Sequence, residues 1–142
     1  MVVSDFFTIA LLLPLLAALF FAFIPVKTKF LAKCAIAFSW LYALAAAIPS
    51  LMTFAWGGLD VQGATLRLGV SGFVMTPHFF LDGRNAPFLL LLGLCLPILF
   101  TLLRDREDRY AKSYYIAAFA MVFSLAGVFT SDSLLLFYFF WE

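Results

Sequence analysis

A single carboxylate closes a long apolar run. Leu134-Leu135-Leu136-Phe137-Tyr138-Phe139-Phe140-Trp141 leads, with no intervening charge, to Glu142. If a helix starts at Ser133, a rise of about 1.5 Å per residue carries Glu142 roughly 15 Å along the axis, near the middle of a hydrocarbon core roughly 30 Å thick. An ionisable side chain is costly at that depth, and the chemistry it offers is proton carriage, an ion path or pairing with a buried cation. Glu142 is therefore expected to be functional in one of these ways. The same geometry leaves main-chain carbonyls of the last turn in lipid, so the helix is expected to be completed by more of the same chain or by a neighbouring one.

The other chemically capable residues point to structure. Asp132, between Ser131 and Ser133, suits the N-cap of the helix that ends on Glu142. Asp82-Gly83 suits a turn into another apolar helix with Pro87 in its first turn, and Arg84 is close enough to pair with Asp82. His78 stands alone near an expected membrane surface. Cys34 and Cys95 fall in different apolar spans with no CxxC or Cys/His spacing, which favours packing over metal or disulfide. Gly-rich phosphate loops and clustered cysteines are missing, so no nucleotide, haem, flavin, iron-sulfur or metal site is expected in this chain.

The elements that must position these residues are read from the charges. With 65% hydrophobic and 12% charged residues and a mean hydropathy of +1.08, the chain is far more apolar than an ordinary globular domain. A net charge of +1 offers no basic stripe for nucleic acid. No charged residue occurs from Phe6 to Val26, Cys34 to Leu59, Asn85 to Leu103 or Ser113 to Ser131, and each gap is near or above the roughly 18 residues of a spanning helix. The expected fold is all-α and integral to the membrane, a single domain over residues 1–142. Four full transmembrane helices are expected, at about 6–26, 30–56, 84–103 and 113–130, with the first half of a fifth at 133–142. Helix one is read as retained, because no basic residue precedes it and Pro25-Val26-Lys27-Thr28-Lys29 is not a small-residue cleavage site. Pro14 and Pro97 lie inside spans, where each is expected to kink its helix.

The loop over residues 57–81 differs in texture. Gly57-Gly58 and Gly63 punctuate it, Leu66, Leu68 and Val70 alternate with Thr65, Arg67 and Gly69, and Ser71-Gly72 can turn a short hairpin. Lys27, Lys29 and Lys33 follow helix one, and Arg104, Arg106, Arg109 and Lys112 follow helix three, whereas the long loop holds only Arg67 and, at its end, Arg84. The loops 27–33 and 104–112 are therefore expected on the cytoplasmic side, with the N-terminus and the hairpin loop outside.

Leu81-Asp82-Gly83, a span, a charged loop with Tyr110, a further span, and then Ser131-Asp132-Ser133 through Phe139-Phe140-Trp141-Glu142 together resemble the N-terminal part of the antiporter-like subunits of respiratory complex I. The phenylalanine-rich approach to Trp-Glu is most similar to the bacterial M-type subunit, the counterpart of mitochondrial subunit 4. The resemblance extends over the whole chain in topology, though its specific residues lie between Leu81 and Glu142. It implies an inverted-repeat, proton-translocating membrane subunit whose first repeat begins near helix four, in a bacterial or archaeal plasma membrane. It also implies that Glu142 lies in the proton path and pairs with a lysine on a later helix. NADH, FMN, iron-sulfur clusters and quinone are then expected on other subunits, and the partners of this chain are other membrane subunits and lipid. After Asp82-Gly83 the family commonly continues Leu-Ser, whereas this chain has Arg84-Asn85-Ala86. Related membrane arms occur in membrane-bound hydrogenases and in multi-chain sodium/proton antiporters, which stand as alternatives, as does a split piece that completes a helix bundle.

Cysteines placed at Lys29 and Arg106 should resist a membrane-impermeant maleimide in intact cells and react after lysis, while one at Gln62 should react from outside. The opposite pattern would invert the orientation.

Overall fold

The computed structural model describes residues 2–23, 28–55, 61–62, 68–70, 73–75, 78–102 and 111–142. The expected turn residues Gly57, Gly58, Gly63, Ser71 and Gly72, and the basic residues Lys27, Arg67, Arg104, Arg106 and Arg109, lie outside them, as does Tyr110. Among the described residues the elements run α1 (Val2–Phe23), α2 (Thr28–Ala55), β1 (Val61–Gln62), β2 (Leu68–Val70), β3 (Phe73–Met75), β4 (Phe80–Leu81), α3 (Ala86–Leu102), α4 (Ala111–Thr130) and α5 (Leu134–Trp141). α1 packs between α2 and α4, α3 lies against α2 and touches α4 more lightly, and α5 rests on α4.

The helices are apolar on every face, the pattern of a helix with protein on one side and lipid on the other. On α1, Phe7, Ala10, Ala17 and Phe21 are buried while Leu12, Leu16, Leu19 and Phe23 are exposed. α1 over Ser4–Phe23, α2 over Phe30–Ala55 and α4 over Lys112–Thr130 are long and apolar enough to cross a membrane. α3 is equally apolar but has 17 residues, about 26 Å at 1.5 Å per residue. The expectation of four full spans is thus met by length in three. At its start α3 is one residue shorter than its charge-free interval, because Asn85 belongs to the turn that precedes the helix.

At the end of the bundle near Lys112 an aromatic cluster ties four helices together. Phe21 of α1 stacks on Phe119 of α4 at 5.7 Å and meets Phe38 of α2 at 5.9 Å. Phe100 of α3 stands edge-on to Phe119 at 5.2 Å and to Tyr115 at 5.0 Å. Such offset and edge-to-face pairs add to area burial by matching positive ring edges to negative faces. Lys112 Nζ donates to the Ala22 carbonyl at 3.1 Å, so the basic end of α4 satisfies an orphan carbonyl of α1.

α2 and α3 approach most closely where small residues face each other. A Cβ on Gly93 would lie 3.0 Å from the Ala46 Cβ and 3.4 Å from the Ala43 Cα, so the absence of a side chain sets the spacing of the two backbones. Hydroxyls inside the helices bond back to their own carbonyls, Ser50 to Ala46 and Thr130 to Ala126, each at 2.7 Å, which removes the cost of burying them.

The segment between α2 and α3 holds two antiparallel pairings. β2 and β3 pair Leu68 with Met75, Gly69 with Val74 and Val70 with Phe73, the hairpin expected from the alternation. β1 and β4 pair Val61 with Leu81 and Gln62 with Phe80, a closure of the loop's two ends that the alternation did not reveal.

Gly93→Leu should overpack the α2/α3 contact and cost about 1–3 kcal/mol. A lowered melting temperature of the detergent-solubilised protein would register it, and an unchanged one would mean the two helices can part freely.

Candidate functional site

The loop end of the bundle starts two helices, and each start is built from main-chain groups that would otherwise be orphaned. At α3 the Asp82 carboxylate Oδ1 accepts from the Arg84 and Asn85 amides, both at 2.9 Å. The Asn85 Oδ1 in turn accepts from the Asp82 amide at 2.7 Å. This reciprocal exchange across three residues is a capping box with asparagine in the returning position. Asn85 is buried, and its Nδ2 donates to the Phe80 carbonyl at 2.9 Å, tying the turn to β4. The Asp82 carbonyl accepts the first helical bond, from the Ala86 amide at 3.0 Å.

Asp82 therefore caps α3 as expected, but its partner in the sequence is Asn85. Arg84 donates to Asp82 through its amide, and Arg84 itself is exposed. Gly83 is not demanded by the turn, since an added Cβ meets nothing within 4 Å. The signal that would have found Asn85 is its spacing: an acid followed three residues later by an amide, just before an apolar run, is the capping-box pattern.

At α5 the cap position is Ser133, with φ −114° and ψ 133° and no side-chain capping hydrogen bond. The expectation that Asp132 caps this helix is corrected. Asp132 is exposed, and its amide donates to the His78 carbonyl at 3.2 Å, while Ser131 forms an antiparallel bridge with Phe79. Residues 131 and 132 are drawn into strand-like pairing with the segment before α3, and this holds the start of α5 in place of a side-chain cap. His78 contributes through its carbonyl.

From that start α5 folds back along α4. Phe140 is its one buried residue, and its ring meets Phe123 of α4 at 5.3 Å and Phe79 at 5.8 Å. Glu142 follows two residues later, with its amide donating to the Tyr138 carbonyl at 3.0 Å, and the side chain is exposed. From Leu134 to Glu142 the helical rise gives about 12 Å. Since two residues turn a helix by about 200°, the glutamate leaves α5 on the side away from the buried Phe140, on the face that carries exposed Tyr138 and Leu135.

The structure thus brings Asp82, Asn85, His78 and Asp132 into one junction and leaves Glu142 apart from them, farther along α5. Cys34 is half-buried on α2 and Cys95 exposed on α3, both as free thiols. Comparison with known proteins returns no matching family model and no matching curated protein.

Asn85→Ala should destabilise the protein by about 1–2 kcal/mol, because it removes the returning cap bond and leaves buried main-chain groups unpaired, whereas Gly83→Ala should stay within about 0.5 kcal/mol. Thermal unfolding in one detergent would separate the two. Equal effects would mean that the turn and not the reciprocal cap carries the stability.

Proposed function

We propose that this chain is the N-terminal portion of a proton-translocating membrane subunit in a complex I-like NADH, or related donor, to quinone oxidoreductase, with Glu142 in the proton path. The observation that carries the reading is the position of Glu142: an exposed carboxylate that closes an otherwise uncharged helix, about 12 Å from the first residue of that helix. A group so placed is available to a partner on the far side of α5. The sequence resemblance between Leu81 and Glu142 adds the family, and with it four membrane spans and the first half of a fifth, an inverted-repeat fold, and a lysine on a later helix as that partner.

The chemistry follows from electrostatics. In a poorly solvated site a nearby ammonium favours the ionised carboxylate, and its withdrawal favours uptake of a proton. Alternating the distance between the two groups would load a proton at the glutamate and release it. Electron transfer belongs to other subunits, where NADH, FMN, iron-sulfur clusters and quinone are bound. This chain contributes the ionisable group and the scaffold that aims it. In the orientation proposed, the loop end faces outward and the 27–33 and 104–112 loops face the cytoplasm.

Glu142→Gln keeps the size and most of the hydrogen bonding of the side chain while abolishing its titration. In inverted vesicles, proton uptake per electron transferred should fall sharply with assembly intact. Asp132→Asn should be mild, because the bond Asp132 makes to His78 comes from its amide. Normal uptake by an assembled Glu142→Gln complex would reduce this glutamate to a structural residue. Co-purification with redox subunits distinguishes the oxidoreductase from a sodium/proton antiporter without a redox arm.

A further inference from the structure

α4 carries one glycine, Gly127, between Ala126 and Val128. Glycine in a helix interior is destabilising relative to alanine, so its position calls for a packing reason. A Cβ built on Gly127 would fall 2.4 Å from Cγ and Cδ1 of Phe140 and 2.7 Å from its Cδ2. The ring of Phe140 therefore lies against bare α4 backbone, in space that any side chain at 127 would occupy. Phe123 and Phe79 meet the same ring at 5.3 and 5.8 Å, so the seat has a floor of glycine and walls from α4 and from the segment before β4.

We propose that Gly127 is the positioning residue for Glu142: by seating the Phe140 ring it fixes the depth and rotation of α5, and so aims the carboxylate two residues on. The proposal rests on the proton-carrying reading of Glu142. Phe140 is the one buried side chain of α5, Leu136 on the same face is partly buried against the core, and Leu134, Leu135, Phe137, Tyr138, Phe139 and Trp141 are exposed. On α4, the seat of α5 is thus made chiefly by the Phe140 ring. Moving that ring outward by the ångström or so that a methyl group needs would swing Glu142 relative to any cation on a neighbouring helix. A proton relay depends on that separation, and a misplacement of about 1 Å can cost up to about a hundredfold in rate.

The test separates position from chemistry. In the assembled complex with Cys34→Ala and Cys95→Ala, spin labels at Leu16→Cys and Tyr138→Cys report the distance from α1 to α5 by pulsed electron paramagnetic resonance, and proton uptake is measured in the unlabelled complex. Gly127→Ala and Gly127→Val should shift the distance and lower uptake about tenfold or more at unchanged assembly. Adding Phe140→Leu, which shrinks the ring to an aliphatic group, should bring both readouts back toward wild type. Phe140→Ala alone, which empties the seat without a clash, should also broaden the distance distribution. An unmoved α5 in both Gly127 variants would overturn the seating, whatever Glu142→Gln does. A displaced α5 with full uptake would overturn the positioning role, as would an uptake loss that persists after Phe140→Leu restores the distance. Normal uptake by Glu142→Gln beside a displaced α5 would instead bring down the reading of Glu142 and leave the seat intact.

Discussion

Main-chain groups at helix ends need partners, and where water is scarce the protein must supply them. That constraint shapes the loop end of this bundle more than any side-chain chemistry does. The segment from His78 to Asn85 serves two helices at once: its carboxylate and amide cap α3, and its backbone pairs with residues 131 and 132 at the start of α5. The same need is met at the opposite end by Lys112 reaching the Ala22 carbonyl. These junctions give the first amides of α3 and the start of α5 partners within the protein.

Between the two ends the bundle is held by contacts that differ in kind. Bulky rings fill the space near the basic end, where α1, α2, α3 and α4 meet around Phe21, Phe100 and Phe119. Small residues decide two other contacts, because Gly93 lets α2 and α3 come together and Gly127 lets a ring lie on α4. Packing of backbone against backbone or ring gains dispersion energy over a large area and needs no hydrophobic difference from the surrounding lipid. α5 depends on it most, since it contributes a single buried side chain.

This arrangement bears directly on the proposed role of Glu142. α5 commits little of its surface to the bundle, chiefly the buried Phe140 with Leu136 partly buried beside it. Its exposed aromatic and leucine side chains give the proposed later helices of the same subunit an apolar face to cover, with the carboxylate on that side. A group meant to answer a cation on a neighbouring helix has to face out of its own bundle, and the half-turn between Phe140 and Glu142 provides that.

The amino-acid sequence by itself determined the apolar class, the helix order and most helix limits, because charge is so costly in hydrocarbon that its absence over long intervals leaves little choice of element. It also determined the β2/β3 hairpin and the capping by Asp82, both of which rest on near neighbours. The placement of α5 was decided by tertiary structure. Asp132 has the composition of a cap, but the strand-like pairing of Ser131 with Phe79 and the bond from its amide to His78 turned it from a side-chain cap into a main-chain one. The pairing of β1 with β4 and the seat of Phe140 on Gly127 also join residues distant in sequence or on different elements. Local propensity has no information about which backbone a ring will meet, and only the packed helices supply it.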